Sequence, residues 1–106
     1  MAGTSLSGKH ALVTGATTPL GRLLAVALAE AGANVSVTTT RPVLAEEVQA
    51  NSILNECWAA AGVSGQARTL DLLDAAALEA ALDALDREVA PVDILVNATH
   101  ESRLFA

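Results

Sequence analysis

The sequence predicts an α/β domain in which a parallel sheet of about four strands, in the order 3-2-1-4, is covered by helices on both faces. Two observations predict this fold. Short apolar or β-branched runs alternate with longer segments whose alanines and leucines recur at helical spacing, and the connections between them are short. Right-handed crossovers then make the strands parallel. The 106 residues are expected to form a single domain.

The composition favours a globular protein and excludes several classes of partner. Hydrophobic residues make up 52% of the chain and the formal net charge is −6, so we expect no binding to nucleic acid or to anionic membranes. The single Cys57 forms no internal disulfide. The sequence shows neither a secretory leader nor an apolar run long enough to cross a bilayer. We therefore expect a reducing, cytoplasmic setting and no membrane partner.

The first strand and helix lie in the amino-terminal third. Residues 1–8 are small and polar and predict a loose leader, and His10 is interpreted as an edge residue at the entry to the first strand. An apolar run predicts that strand at 11–13, and a helix is expected over 19–31, closed by Gly32. The apolar face predicted for this helix consists of Leu20, Leu23, Leu24, Ala27, Leu28 and Ala31.

A β-branched run predicts the second strand at 34–40. Pro42 suits the first position of a helix, which is expected to continue to Ala61 and to end at Gly62. Helical spacing places Cys57 and Trp58 on the packed face of that helix, together with Ala50, Ile53, Leu54 and Ala61.

The last two strands flank a third helix. Residues 66–70 predict a short third strand, and Asp74 is well placed to cap the helix that follows. The packed face of this helix is expected to carry leucines, and Pro91 ends it. The run 92–97 is nearly all apolar in its middle and predicts a strand covered on both faces. Residues 98–106 show no period and are expected to form an irregular tail.

The segment 14–21, Thr-Gly-Ala-Thr-Thr-Pro-Leu-Gly, joins the first strand directly to the first helix. Glycine lets the turn approach a ligand closely, and the helix start offers unpaired N–H groups and a partial positive charge to a phosphate. In the order 3-2-1-4 the chain reverses direction beside the first strand, where ligands of such sheets bind. Gly15, Asp71 and Asn97 all follow strands and are expected at that same carboxyl edge.

Taken together, these residues resemble the amino-terminal half of the short-chain dehydrogenase/reductase family, which has a Rossmann-type sheet. The resemblance rests on Thr14-Gly15 with Gly21, Gly32-Ala33, Asp71-Leu72 and the run 93–97. It implies that the fold is incomplete relative to the full family, that Asp71 and Leu72 meet the adenine, and that the glycine turn holds the diphosphate of a dinucleotide. The cofactor-binding residues so predicted are Gly15, Thr17, Thr18, Leu20, Gly21, Thr39, Thr40, Arg41, Asp71, Leu72, Asn97 and Ala98.

The end of the second strand predicts which dinucleotide is bound. A carboxylate there would hold the adenosine ribose of NAD and repel the extra phosphate of NADP. Threonines 38–40 carry no charge and Arg41 follows them, so we expect NADP rather than NAD. The alternative is that Arg41 is only a solvated residue at the start of the next helix.

Two substitutions depart from the family pattern. Pro19 stands where the family usually has its middle glycine, so it either starts the helix at little cost or removes one phosphate contact. His100 replaces a glycine beside the nicotinamide half of the cofactor, where a side chain would crowd the ribose.

The chain also lacks the family's catalytic Ser and Tyr-x-x-x-Lys, and no His, Cys or carboxylate cluster has metal-binding spacing. We therefore assign no catalytic or metal residue and expect the chain alone to be catalytically incompetent. Three interpretations stay open: the cofactor-binding portion of a reductase, a noncatalytic nucleotide sensor, or a structural interaction protein that has lost the ligand. An exposed fourth strand further predicts pairing with a second copy or with a carboxyl-terminal half.

Overall fold

The computed structural model describes residues 5–39, 43–70 and 74–98. Four strands form one parallel sheet in the order β3-β2-β1-β4, which confirms the predicted fold class and strand order. The elements are β1 (His10–Thr14), α1 (Pro19–Glu30), β2 (Asn34–Thr39), α2 (Leu44–Ala61), β3 (Ala67–Thr69), α3 (Ala75–Glu88) and β4 (Ile94–Asn97).

The core lies between the sheet and the pair α1 and α2. Val13, Val35 and Val37 project from β1 and β2 into this layer and are at most 1% exposed. Ile53 and Cys57 of α2 pack against them. Among the described residues no aromatic ring takes part in this cluster, so its density there comes from the close approach of small aliphatic side chains.

Helix α1 packs on a different stripe from the one that we predicted. Its buried residues are Gly21, Ala25 and Ala29, whereas Leu20 and Leu23 are 57% and 67% exposed. Small side chains every four residues let the helix axis approach the sheet. Leu24, Val26 and Leu28 flank this stripe and are partly buried against the core. The leucine pattern identified the helix correctly but misplaced its packed face by one position.

Helix α2 begins at Leu44, with Val43 as its N-cap, and the predicted first residue, Pro42, lies outside the described residues. It ends as predicted at Gly62, which adopts the left-handed conformation with φ of 68°. Cys57 is buried as expected. Trp58, however, is 67% exposed, so the prediction that it packs in the core is wrong, because position 58 lies one step of about 100° around the helix from position 57.

The thiol of Cys57 is part of this core and not of any reactive site. Its Sγ lies 3.6 Å from the carbonyl oxygen of Ala25. Burial raises the pKa of the Cys57 thiol above its ordinary value, and the carboxylate of Glu56 raises it further. The nucleophilic thiolate is therefore disfavoured at neutral pH.

Helix α3 begins at the predicted cap, where the Asp74 carboxylate accepts a hydrogen bond of 3.0 Å from the Ala77 N–H. The connections β1–β2 and β2–β3 both step toward one edge of the sheet, whereas the connection β3–β4 steps back toward the other edge. Because such crossovers are right-handed, α3 lies on the opposite face of the sheet from α1 and α2. Leu85 is the one fully buried residue of this helix within its described range. An ion pair between Glu88 of α3 and Arg68 ties the helix to β3.

His10 is not the edge residue that we expected. It lies in β1, between β2 and β4, and is 0% exposed. Its Nδ1 lies 2.7 Å from the Ala90 carbonyl oxygen and its Nε2 lies 2.7 Å from the Ser36 hydroxyl. Since a carbonyl only accepts, Nδ1 carries the proton and Nε2 accepts from Ser36 in the neutral ring. The ring thereby joins β1 to β2 and to the segment before β4.

The segment before β1 is attached to the C-terminal end of α1 by a backbone hydrogen bond. Leu6, in the segment predicted to be a loose leader, donates its N–H to the Ala31 carbonyl at 2.8 Å, and its own carbonyl accepts from the Lys9 N–H at 2.9 Å. Residues 99–106 of the predicted tail lie outside the described residues. Among the helices that the structure describes, none combines the length and the apolar character required to cross a bilayer.

Candidate functional site

The carboxyl ends of all four strands meet at one edge of the sheet. In the parallel register Thr14 pairs with Asn97 and Thr39 pairs with Thr69, so these four residues mark that edge. Gly15 follows directly after β1. The structure thus places Gly15 and Asn97 at the edge expected for them, and Asp71, the third residue predicted there, lies outside the described residues.

The turn after β1 is tight and buried. Gly15 has a φ of 68°, a conformation in which a side chain is strained. Its carbonyl oxygen accepts hydrogen bonds from the Thr18 N–H at 3.2 Å and from the Thr18 hydroxyl at 2.9 Å. Ala16 is 0% exposed. The turn therefore has one well-defined backbone path into α1.

The first turn of α1 presents its N-terminal end at this edge. Thr18 is the N-cap, and its hydroxyl accepts a hydrogen bond of 3.0 Å from the Gly21 N–H. Pro19 is the first helical residue, where its missing N–H costs little. The first turn contains no acidic residue. This arrangement suits a phosphate, because the helix dipole and an unpaired N–H group both favour an anion there.

Gly21 is the point of closest contact between the helix and the turn. A Cβ atom at this position would lie 2.4 Å from the Gly15 carbonyl oxygen and 2.6 Å from the Ala16 Cα. Both are backbone atoms and cannot rotate away. Only glycine therefore allows α1 to start this close to the end of β1.

One contact at the site was not predicted. The Thr14 hydroxyl donates a hydrogen bond of 2.9 Å to the Asn97 side-chain oxygen, and the Ala98 N–H donates to the Thr14 carbonyl at 2.9 Å. Thr14 thereby orients a residue of the predicted cofactor set from the neighbouring strand. The sequence contains a hydroxyl residue, Thr14, at the end of one strand and an amide residue, Asn97, at the end of another. Their contact can be predicted only when the two strands are known to pair.

The other predicted site residues have different surroundings. Thr39 is 3% exposed and its hydroxyl lies 3.0 Å from that of Thr69. A cavity of about 370 Å³ opens between the ends of β2 and β3 and the first turns of α2, and Thr39, Glu47 and Arg68 are among its lining residues.

Thr17 is half-buried and Ala98 is buried. Thr40, Arg41, Asp71 and Leu72 lie outside the described residues.

Within residues 5–39, 43–70 and 74–98 there is no group of three His, Cys, Asp or Glu side chains that could hold a metal ion. The donors gathered at the site are backbone N–H groups, hydroxyls and one amide. The N–H and hydroxyl groups among them are able to donate hydrogen bonds to phosphate and ribose oxygens.

A parallel sheet in the order 3-2-1-4, with a glycine turn leading into a helix at its carboxyl edge, defines the class of nucleotide-binding α/β domains. The comparison with protein families identifies the member of that class. The family model for short chain dehydrogenases matches residues 9–103, and the chain belongs to this family.

Individual relatives agree with this assignment. The chain is 37% identical over 100 residues to an NADPH-dependent chloroplastic aldehyde reductase 2 of Arabidopsis thaliana, covering 88% of this chain and 36% of that protein. It is 37% identical over 101 residues to a D-threitol dehydrogenase of Mycolicibacterium smegmatis, covering 93% and 36%. The chain therefore spans about a third of the length of these two relatives.

A solved structure shows the same fold with a ligand. A dehydrogenase of Burkholderia cenocepacia, crystallised with bound NADP, superposes with a TM-score of 0.74 at 32% sequence identity. The match covers 92% of this chain and 36% of that one. The Rossmann-like fold of the present chain is thus that of the first third of its structural neighbours.

Proposed function

We propose that this chain is the NADP-binding portion of an oxidoreductase of the short-chain dehydrogenase type. The observation that carries the proposal is the start of α1, which presents its N-terminal end at the carboxyl edge of the sheet directly after the Gly15 turn. Membership of the family supports the same conclusion. The full activity requires the remaining two thirds that the relatives possess.

The residues present fit a dinucleotide diphosphate. The Leu20 N–H and the Thr17 hydroxyl would contact the phosphate oxygens at the start of α1. Gly15 has a φ of 68° in the turn, and Gly21 lets the start of α1 approach the backbone of that turn closely. Asn97 and Ala98 would border the part of the cofactor beyond the diphosphate. When bound, the nicotinamide ring donates or accepts a hydride, which is chemistry that the protein side chains lack.

NADP is favoured over NAD by the end of β2 and by the relatives. Thr38 and Thr39, the last described residues of β2, carry no carboxylate to oppose a ribose phosphate. The Burkholderia cenocepacia neighbour holds NADP and the Arabidopsis thaliana relative is NADPH-dependent. Arg41 would contact the extra phosphate in this proposal.

Titration of the chain with NADPH and with NADH, followed by fluorescence, tests the proposal. We expect a dissociation constant for NADPH about tenfold lower than that for NADH, which corresponds to one additional charged contact of about 1.4 kcal/mol. The variant Arg41→Gln should remove most of this difference. Tighter binding of NADH would contradict the preference for NADP.

The same titration separates the alternatives. Failure to bind either nucleotide would favour a structural interaction protein. Tight binding without turnover, even after addition of the carboxyl-terminal portion of a relative, would favour a nucleotide sensor. We propose that catalysis needs residues beyond these 106, because they contain no tyrosine to serve as the general acid of the family.

We also propose that the outer edge of β4 pairs with another chain segment, which can be a second copy. Within the described sheet β4 pairs only with β1, and Leu95 of β4 is 59% exposed. Sedimentation should show a mass that rises with protein concentration, and Leu95→Lys should weaken this association. Leu44→Lys is the control, since Leu44 is 74% exposed on α2. A monomeric mass at every concentration would contradict pairing between copies.

A further inference from the structure

The hydroxyl of Thr18 lies at the meeting point of three segments of the site. It accepts a hydrogen bond from the Gly21 N–H at 3.0 Å. Its proton lies within reach of the Gly15 carbonyl at 2.9 Å and of the Ala98 carbonyl at 3.3 Å. A single side chain therefore contacts the glycine turn, the start of α1 and the end of β4.

The position of Thr18 matters because the first turn of α1 leaves few N–H groups free to donate hydrogen bonds to a phosphate. Pro19 has no N–H, and the Gly21 N–H is already bonded to the Thr18 hydroxyl. Among the first three helical positions, and within the described part of the chain, only the Leu20 N–H has no hydrogen-bond partner. The Leu20 N–H is therefore the one donor that these three helical positions leave for a phosphate, and it lies two residues after Thr18.

We propose that Thr18 is a positioning residue that holds the diphosphate turn in register with the end of β4, an inference that rests on the proposed function. Through Gly15 and Gly21 it sets where the Leu20 N–H points. Through Ala98 it sets the distance between the diphosphate part of the site and the part beside β4. An N-cap that served only helix stability would need the bond to Gly21 and no other.

The experiment compares Thr18→Val, which keeps the shape of the side chain but removes the hydroxyl, with Thr18→Ser, which retains it. Dissociation constants are measured for NADPH and for adenosine 2′-monophosphate, a probe that lacks the diphosphate. For Thr18→Val we expect NADPH binding to weaken about tenfold, which corresponds to the loss of one to two hydrogen bonds. Binding of adenosine 2′-monophosphate should stay unchanged, and Thr18→Ser should bind NADPH as the wild type does.

Asp74→Ala is the matched control. Asp74 caps α3 with the same kind of bond, to the Ala77 N–H at 3.0 Å, and is not among the residues assigned to the site. Asp74→Ala should destabilise the fold to a similar degree as Thr18→Val and leave NADPH affinity unchanged. If Thr18→Val does not fold, Thr18→Gly replaces it, because glycine is well tolerated at an N-cap and has no side chain to donate to the Gly15 and Ala98 carbonyls. We expect the same weakening of NADPH binding.

The outcomes separate this inference from the function on which it rests. If the wild type binds neither ligand, the proposed function fails and the inference fails with it. If the wild type binds NADPH and the hydroxyl-free variant binds it equally well, the inference alone fails. It also fails alone if both ligands weaken equally, or if Asp74→Ala weakens NADPH binding as much as Thr18→Val does.

Discussion

Replacement of Gly21 by alanine should destabilise the protein and abolish measurable NADPH binding. The added Cβ would lie 2.4 Å from the Gly15 carbonyl oxygen and 2.6 Å from the Ala16 Cα, so α1 must move away from the turn. Overpacking of this kind costs about 2 kcal/mol and should lower Tm by about 10 °C in a domain of this size. Because the Gly15 oxygen also accepts both Thr18 hydrogen bonds, the displacement would carry the phosphate site with it.

Gly62→Ala is the control for this variant. A Cβ at Gly62 would meet nothing within 4 Å, although φ is 68°. The strain of that conformation costs about 1 kcal/mol, and NADPH affinity should not change because Gly62 follows α2, away from the glycine turn. Thermal unfolding monitored by circular dichroism and NADPH titration measure both effects. Wild-type stability and affinity in Gly21→Ala would show that the helix start tolerates a side chain.

Truncation of Leu85 to alanine should be the most destabilising single change in α3. Leu85 is 0% exposed, and it is the one fully buried residue within the helix. Its loss leaves a cavity between α3 and the sheet and should cost about 3 kcal/mol of unfolding free energy. The carbonyl of Leu85 also accepts from the N–H groups of Val89 and Ala90, and the Ala90 carbonyl holds His10.

Leu82→Ala gives the matched comparison, because Leu82 lies in the same helix and is only half-buried. Its cost should be about 1 kcal/mol, in proportion to the smaller apolar area that it removes from water. Urea unfolding measures both variants. Equal costs for the two variants would contradict the prediction that the burial of each side chain sets its contribution to stability.

Local patterns in the sequence identified the elements well because they depend on neighbouring residues. The cap at Asp74, the stop at Gly62 and the β-branched run of β2 each act within a few positions, and all three occur as predicted. The strand order also followed, because short connections and right-handed crossovers leave few topologies for four parallel strands. The glycine turn could be located because Gly15 and Gly21 lie directly between a predicted strand and a predicted helix.

Packed faces and polar partners were harder to predict. On α1 the leucines suggested one face, yet Ala25 and Ala29 are the buried residues, since the distance of a helix from its sheet is set by both elements. His10 was predicted to be an edge residue, and this prediction failed because its partner, Ser36, lies 26 residues away in the sequence. No local pattern reveals such a pair.

The sequence by itself determined the class of fold, the order of the strands and the position of the glycine turn, because these depend on periodicity and on short-range turn chemistry. Only the tertiary structure decided which side chains hold that turn in place. The hydrogen bonds of Thr14 to Asn97 and of Thr18 to Ala98 span 83 and 80 residues. Such bonds exist only because parallel pairing brings the ends of β1 and β4 to the same edge of the sheet.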